Sequence, residues 1–191
     1  MRLFVAVEIP DAVRQSLRAW IAPLEAAYPR ARWIPAGNLH VTLKFIGDAP
    51  EKSLDAMREV LRAVKQTSRI EINFHGAGFF PNERRPRVLW AGVESGPELA
   101  SLASAIDQAL VTVDIPHEAR DFRPHLTIAR FPEKSDATAL ARLREKLAAA
   151  GAPDFGAASV RNFHLYRSVL DPSGAQYTRL DSFDFARSDA E

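Results

Sequence analysis

The 191-residue chain is 47% hydrophobic and 26% charged, a composition typical of a soluble globular protein. It has no cysteine, which excludes disulfides, thiolate nucleophiles and cysteine-based metal sites. Its formal net charge of +1 excludes a strong overall field for polyanions. The N-terminal apolar stretch is too short for a signal peptide or a membrane span, so we expect a cytoplasmic protein without membrane association.

Hydrophobic periodicity predicts alternating strands and helices along the chain. Asp11 is the expected N-cap of the first helix, and Pro23 is expected to kink or shorten that helix. "DPSG" (171–174) predicts a turn. In chain order, the predicted elements are strand 3–9, helix 10–28, strand 39–47, helix 51–65, strands 70–80 and 86–93, helix 98–113, strand 122–131, helix 136–150, and strands 163–170 and 176–185.

The order of the predicted elements indicates an internal repeat. "HVTL" begins at His40 and "HLTI" begins at His125, an offset of 85 residues. The same offset carries helix 51–65 onto 136–150, strand 70–80 onto 155–165, and "LFVA" (3–6) onto "VLWA" (88–91). This repeat predicts an α+β fold with two lobes related by a pseudo-twofold axis, each an antiparallel sheet backed by helices, with a central cleft between them. No linker separates the lobes, so residues 1–191 are interpreted as a single two-lobed domain.

The repeated motif is suited to acid–base chemistry. Side chains alternate along a strand, so His40 and Thr42 share one face, as do His125 and Thr127. Imidazoles titrate near neutrality, and two of them facing one cleft can act as general acid and general base. Threonine hydroxyls can stabilise the non-bridging oxygens of a phosphoryl group during displacement at phosphorus. This division of roles needs no metal and no cofactor.

Three further residues are candidates for substrate binding. Lys44 shares the His40 face by alternation and can therefore reach a phosphate. Arg130 is five residues after His125, so in a regular strand the two side chains lie on opposite faces, and Arg130 reaches the cleft only if the strand bends. Phe45 is the counterpart of Arg130 at the offset of 85.

The remaining histidines are interpreted as structural or solvated; they are His75, His117 and His164. A zinc site built from the two motif histidines lacks an obvious third ligand, although Asp121 is near the second motif in sequence. We therefore expect no metal site.

Five segments resemble the two-histidine phosphoesterases, and most closely the bacterial RNA 2′,3′-cyclic phosphodiesterases, historically called 2′-5′ RNA ligases. They are "NLHVTLKFIG", "FRPHLTIAR", "RLFVAVEIP", "PRVLWAGV" and "LYRSVLDPSGAQYTRL". The resemblance implies metal-independent hydrolysis of a terminal RNA 2′,3′-cyclic phosphate to a 2′-phosphate. It also implies that His40 is the proton donor to the leaving 3′-oxygen and that His125 is the proton acceptor for water.

Other functions stay open at this point. The chain is also compatible with cleavage or ligation of 2′-5′ linkages, with action on a small cyclic nucleotide, and with a non-catalytic module that binds RNA ends. The two intact His–Thr pairs argue against the last, because binding alone needs no matched proton-transfer groups. The expected partner is an RNA 3′ end or a nucleotide bearing a cyclic phosphate, and the expected state is a monomer.

Overall fold

A computed structural model describes residues 1–66, 68–171 and 174–186. These residues form nine β-strands, four α-helices and two short 3₁₀ helices (Ala36–Asn38 and Glu51–Ser53). The strands are β1 (Arg2–Glu8), β2 (Arg32–Trp33), β3 (His40–Asp48), β4 (Ile70–Phe80), β5 (Val88–Ser95), β6 (His125–Arg130), β7 (Asp154–Val160), β8 (Asn162–Asp171) and β9 (Gly174–Asp184). The helices are α1 (Asp11–Ala27), α2 (Leu54–Arg62), α3 (Pro97–Val111) and α4 (Ala137–Ala150).

The strands form two antiparallel sheets whose orders repeat. One sheet runs β3-β1-β8-β9, and the other runs β2-β6-β5-β4-β7. If β2 is set aside, β3, β1, β8 and β9 correspond in order to β6, β5, β4 and β7. The helix pairs follow the same symmetry, because α1 contacts α4 as α3 contacts α2; in addition, α1 packs on β7 and α3 packs on β3. The predicted α+β class and its two related lobes are confirmed.

Strand β1 shows how the sheet faces are divided between core and cleft. Leu3, Val5 and Val7 are buried in the main core, whereas Phe4 and Ala6 belong to a separate small cluster on the opposite face. Complete burial of each large aliphatic side chain contributes about 1.5–3 kcal/mol. The main core is continuous across both sheets, and a single domain remains our interpretation.

The first helix differs from the prediction at both ends. Pro10 occupies the N-cap position and makes no side-chain cap bond, so the predicted cap at Asp11 is wrong; Asp11 lies in the first turn. The helix also runs through Pro23 to Ala27, without the expected shortening. Buried Ile21 and Leu24 lie on both sides of the proline, and their packing holds the last turn in the core.

Several predicted boundaries also shift. The segment predicted as helix 51–65 forms a 3₁₀ turn followed by α2, which ends at Arg62. Of the predicted strand 122–131, only β6 (His125–Arg130) forms a strand. The strand predicted at 155–165 from the repeat is two strands, β7 and β8, which flank Arg161. The two-residue β2 is too short for a periodic signal and was not predicted. In the predicted turn at 171–174, Pro172 and Ser173 lie outside the described residues.

Across the described ranges, no helix combines the length and the apolar character needed to cross a membrane. Cytoplasmic location and a monomeric state remain predictions.

Candidate active site

The two motifs lie on equivalent strands of the two sheets, on β3 and on β6. Each begins its strand, and the intervening aliphatic residues point away from the histidines. As alternation predicts, these aliphatic side chains are buried in the core; they are Val41, Leu43, Leu126 and Ile128. The His and Thr of each motif are only half-buried, on the opposite face.

Both histidines are held in the same way. The Nδ1 of His40 is 2.7 Å from the backbone oxygen of Asn38, and the Nδ1 of His125 is 2.7 Å from that of Arg123. A carbonyl oxygen can only accept, so Nδ1 carries the hydrogen in both rings. In each imidazole, Nε2 is therefore the nitrogen that is available for proton exchange. Asn38 and Arg123 are themselves 85 residues apart, so the orientation is part of the repeat.

Aromatic rings fix the planes of the imidazoles. Phe4 stacks on His40 with ring centroids 4.7 Å apart, and Tyr177 contacts the same ring edge-on at 5.3 Å. Phe80 contacts His125 edge-on at 5.1 Å. Sequence reasoning missed all three aromatic residues. Strand β1 is apolar from Leu3 to Val7 and gives no alternation signal around Phe4, and Tyr177 approaches from a hairpin that is distant in sequence.

Burial and neighbouring charge keep both imidazoles weakly basic. Burial lowers the pKa of His40 below its usual value, the bond to the Asn38 oxygen partly opposes this, and the charge of His125 lowers the pKa further. Burial also lowers the pKa of His125, and the charge of Arg130 adds to that effect against the opposing bond to Arg123. The strands that carry the two motifs, β3 and β6, are in contact with each other.

A β-bulge in β3 changes the direction of the residues that follow Thr42. Ala6 pairs with Thr42 but Val5 pairs with Lys44, so Leu43 is the extra residue. Lys44 therefore points into the protein, is only 3% exposed, and donates hydrogen bonds to Asp107 on α3 and, at 2.6 Å, to the Pro116 oxygen. The orientation predicted for Lys44 is wrong, and its ammonium group is already occupied by protein acceptors.

The same bulge recurs 85 residues later in β6. Trp90 pairs with Thr127 but Leu89 pairs with Ala129, which makes Ile128 the extra residue. The next residue, Arg130, pairs with Val88 and returns to the face that carries Thr127. The bend that Arg130 requires to reach the cleft is thus present.

Phe45 occupies the corresponding position in the other lobe. It pairs with Phe4, which lies on the cleft face, and its side chain is 50% exposed. The bulges therefore bring Phe45 to the cleft and Arg130 to the face of Thr127, and they turn Lys44 toward Asp107 at the buried edge of the cleft.

A cleft of about 800 Å³ is lined by Thr42 of the first motif and by His125 of the second, whereas His40 and Thr127 are not among its lining residues. Phe45, Phe80 and Phe122 form apolar parts of its wall. The segment 117–123 closes another side, where Arg120 and Glu118 form an ion pair at 2.8 Å. The cleft thus places the His125 imidazole and the Thr42 hydroxyl beside an aromatic wall that suits a nucleoside.

The other histidines have structural partners. The Nε2 of His75 is 2.7 Å from a carboxylate oxygen of Glu94 on the surface, and buried His164 contacts the Ser182 hydroxyl at 2.9 Å. His117 is exposed, as predicted for a loop residue, but its Nδ1 also contacts Asp107. Within residues 1–66, 68–171 and 174–186, no three His, Asp or Glu side chains gather in a way that could hold a metal ion.

Comparisons with known proteins match nearly the whole chain. The family model described as the 2′-5′ RNA ligase superfamily matches residues 9–172. The RNA 2′,3′-cyclic phosphodiesterase of Archaeoglobus fulgidus is 33% identical over 184 residues, covering 96% of this chain and 100% of that protein. The protein of the same name from Thermus thermophilus is 34% identical over 195 residues, covering 96% and 89%.

Solved structures agree with these matches. The crystal structure of TT0787 of Thermus thermophilus superposes with a TM-score of 0.78 at 30% identity, covering 98% of this chain and 99% of that one. The crystal structure of E. coli LigT complexed with 3′-AMP superposes with a TM-score of 0.76 at 25% identity, covering 97% and 98%. On these matches and on its paired His–Thr strands, the chain belongs to the 2′-5′ RNA ligase superfamily.

Proposed function

We propose that this protein hydrolyses the 2′,3′-cyclic phosphate at the 3′ end of RNA to a 2′-phosphate, without a metal ion. The observation that carries the proposal is the matched pair of Nδ1 bonds at His40 and His125, which leaves the Nε2 atom of each ring available for proton exchange. The relatives named RNA 2′,3′-cyclic phosphodiesterase support the substrate.

The two imidazoles divide the proton transfers. His125 Nε2 accepts a proton from water as the water oxygen bonds to phosphorus. The bond between phosphorus and the 3′-oxygen breaks, and protonated His40 donates its Nε2 proton to that oxygen. The products are a 2′-phosphate and a free 3′-hydroxyl. Thr42 and Thr127 donate hydrogen bonds to the non-bridging oxygens, where negative charge accumulates in the transition state.

Arg130 supports the role of His125 as the base. Its charge lowers the pKa of His125 and so favours the neutral ring that a base requires. The role of His40 as the acid rests on the resemblance of its motif to that of the family.

Arg130 and Phe45 contact the substrate in this proposal. Arg130 is on the face of Thr127 and supplies positive charge beside a phosphate. Phe45 is half exposed beside the cleft and offers a ring on which a base can stack. Lys44 is not part of the proposed site, because its ammonium group is bound to Asp107.

The test is an assay of EDTA-treated protein on a short RNA that ends in a 2′,3′-cyclic phosphate, with the product followed by phosphorus NMR. We expect a terminal 2′-phosphate, at a rate that the chelator does not change. The double variant His40→Ala/His125→Ala, purified in parallel, controls for contaminating ribonuclease. A 3′-phosphate product, no hydrolysis, or activity that depends on added zinc or manganese would each contradict the proposal.

A second candidate reaction is joining of RNA through a 2′-5′ linkage. The same acid and base can act on an RNA 5′-hydroxyl in place of water, and the open cleft of about 800 Å³ leaves room for a second nucleoside beyond the phosphate. Adding a 5′-hydroxyl RNA to the same assay tests this candidate, because ligation gives a longer product whose new linkage resists a nuclease that is specific for 3′-5′ bonds.

A further inference from the structure

Two arginines stand directly opposite each other at the end of the second sheet. Arg32 of β2 pairs with Arg130 of β6, and Arg130 pairs in turn with Val88 of β5. Residues directly opposite on antiparallel strands project from the same face, with Cβ atoms about 4.5–5.5 Å apart. The side chains of Arg32 and Arg130 therefore extend from adjacent positions on the same face of the sheet.

The face they share is the one that carries the second motif. Val88, Trp90 and Gly92 alternate along β5 without interruption and pair with Arg130, Thr127 and His125 respectively. The neighbour of Arg32, Trp33, pairs with fully buried Ala129 on the core side. Arg32 is thus one strand beyond Arg130, on the cleft face, about 4.8 Å farther from β5.

This pair has no counter-charge among the residues that the structure describes. Among residues 1–66, 68–171 and 174–186, neither guanidinium forms an ion pair or a side-chain hydrogen bond, and Arg32 is exposed. Like charges directly opposite on a sheet destabilise it. An anion that bridges the two groups removes this repulsion, and planar guanidinium forks match the oxygens of a phosphate.

We propose that Arg32 and Arg130 bind the internucleotide phosphate that precedes the terminal cyclic phosphate of an RNA substrate. The subsite lies along β6, on the far side of Thr127 from His125, so the terminal phosphate sits between the imidazoles while the preceding phosphate lies over the arginine pair. The inference deepens the proposed function and rests on it. The preferred substrate is therefore an oligoribonucleotide rather than a cyclic mononucleotide.

The experiment compares two substrates, a cyclic mononucleotide and a trinucleotide that ends in a 2′,3′-cyclic phosphate. For Arg32→Gln, we expect the ratio of kcat/KM for the trinucleotide to that for the mononucleotide to fall about tenfold, mainly through KM, as expected for loss of one charge-assisted contact. The slope of log kcat/KM against log salt for the trinucleotide should become shallower by about 0.7. Arg32→Lys, which keeps the charge, should retain most of that slope.

Arg18→Gln is the matched control. Arg18 is an exposed arginine of α1, on the helix that packs behind the same sheet, and its loss changes the net charge equally. The proposal is overturned if Arg32→Gln and Arg18→Gln have the same substrate ratio and salt slope. Relief of the arginine repulsion also predicts that Arg32→Gln melts no lower than the wild type, and a large drop in Tm would contradict the unpaired state of Arg32.

Failure of the proposed function gives a different result. If the wild type hydrolyses neither substrate, the hydrolytic proposal fails, and the subsite is then tested by fluorescence anisotropy with a labelled single-stranded trinucleotide. Weaker binding by Arg32→Gln than by Arg18→Gln supports the subsite, and equal binding by the two variants overturns it.

Discussion

Replacing Lys44 by Met is expected to destabilise the protein strongly, because it breaks a buried ion pair. Lys44 and Asp107 are 3% and 7% exposed, and Asp107 also accepts from the Glu118 amide at 3.0 Å and contacts His117. Removing one member of such a pair costs about 3–5 kcal/mol. Because Asp107 keeps its other two partners, we expect the free energy of unfolding to fall by about 2–4 kcal/mol. For a chain of this size that corresponds to a decrease in Tm of about 4–16 °C.

Thermal and urea denaturation of two variants measure the effect. Lys146→Met, at an exposed site on α4, is the matched control and should change stability by less than about 0.5 kcal/mol. The double variant Lys44→Met/Asp107→Leu should recover part of the loss, because it leaves no buried charge unpaired. If Lys44→Met is as stable as Lys146→Met, the buried ion pair is not a source of stability and the reasoning is refuted.

The dependence on pH gives an independent check. Burial raises the pKa of Asp107, but the hydrogen bond from Lys44, the Glu118 amide and the charges of Lys44 and His117 outweigh burial and leave the pKa below its usual value. A carboxyl with a depressed pKa in the folded state stabilises the protein above its unfolded pKa, and the contribution is lost as pH falls through the folded pKa. The stability difference between the wild type and Lys44→Met should therefore shrink as pH falls below about 4.

Two further predictions concern catalysis. Thr42→Val and Thr127→Val keep the shape of the side chain but remove a hydrogen-bond donor to the phosphoryl oxygens, so kcat should fall about 10–10³-fold in each variant. An unchanged kcat in steady-state assays would show that the threonines are not part of the site. The pH profile of kcat/KM should be bell-shaped and should peak below pH 6.5, the usual imidazole pKa, because the pKa values of both free histidines are lowered. Arg130→Met should raise the pKa of His125 and so move the acidic limb of this profile to higher pH. An acidic limb that does not move would show that Arg130 has no influence on the pKa of His125.

The repeat made much of the fold and the centre of the site predictable. Matching His–Thr pairs at a fixed offset place two copies of one strand in two related lobes, and strand alternation correctly assigns the buried aliphatic residues of both motifs. The offset even extends to Asn38 and Arg123, whose backbone oxygens orient the two imidazoles. Local pattern was sufficient here because each motif is continuous in sequence.

The residues beyond the motifs were not predictable in the same way. The bulges at Leu43 and Ile128 leave no mark in the pattern of polar and apolar residues, yet each reverses the face of every later residue in its strand. This reversal turned Lys44 toward Asp107 and brought Arg130 to the face of Thr127. The partners of Lys44 and His40, Asp107 and Tyr177, are far away in sequence and are brought close only by tertiary packing.

The most direct test of the two-histidine account is the kinetics of His40→Ala, His125→Ala and the double variant on an RNA that ends in a 2′,3′-cyclic phosphate. His75→Ala is the control, because His75 is a surface imidazole paired with Glu94 and not part of the cleft. Each single active-site variant should lose about 10²–10⁴ in kcat, and the double variant should be little worse than either, because the two groups act as a unit. Near-wild-type activity in a folded His40→Ala or His125→Ala variant would contradict the account.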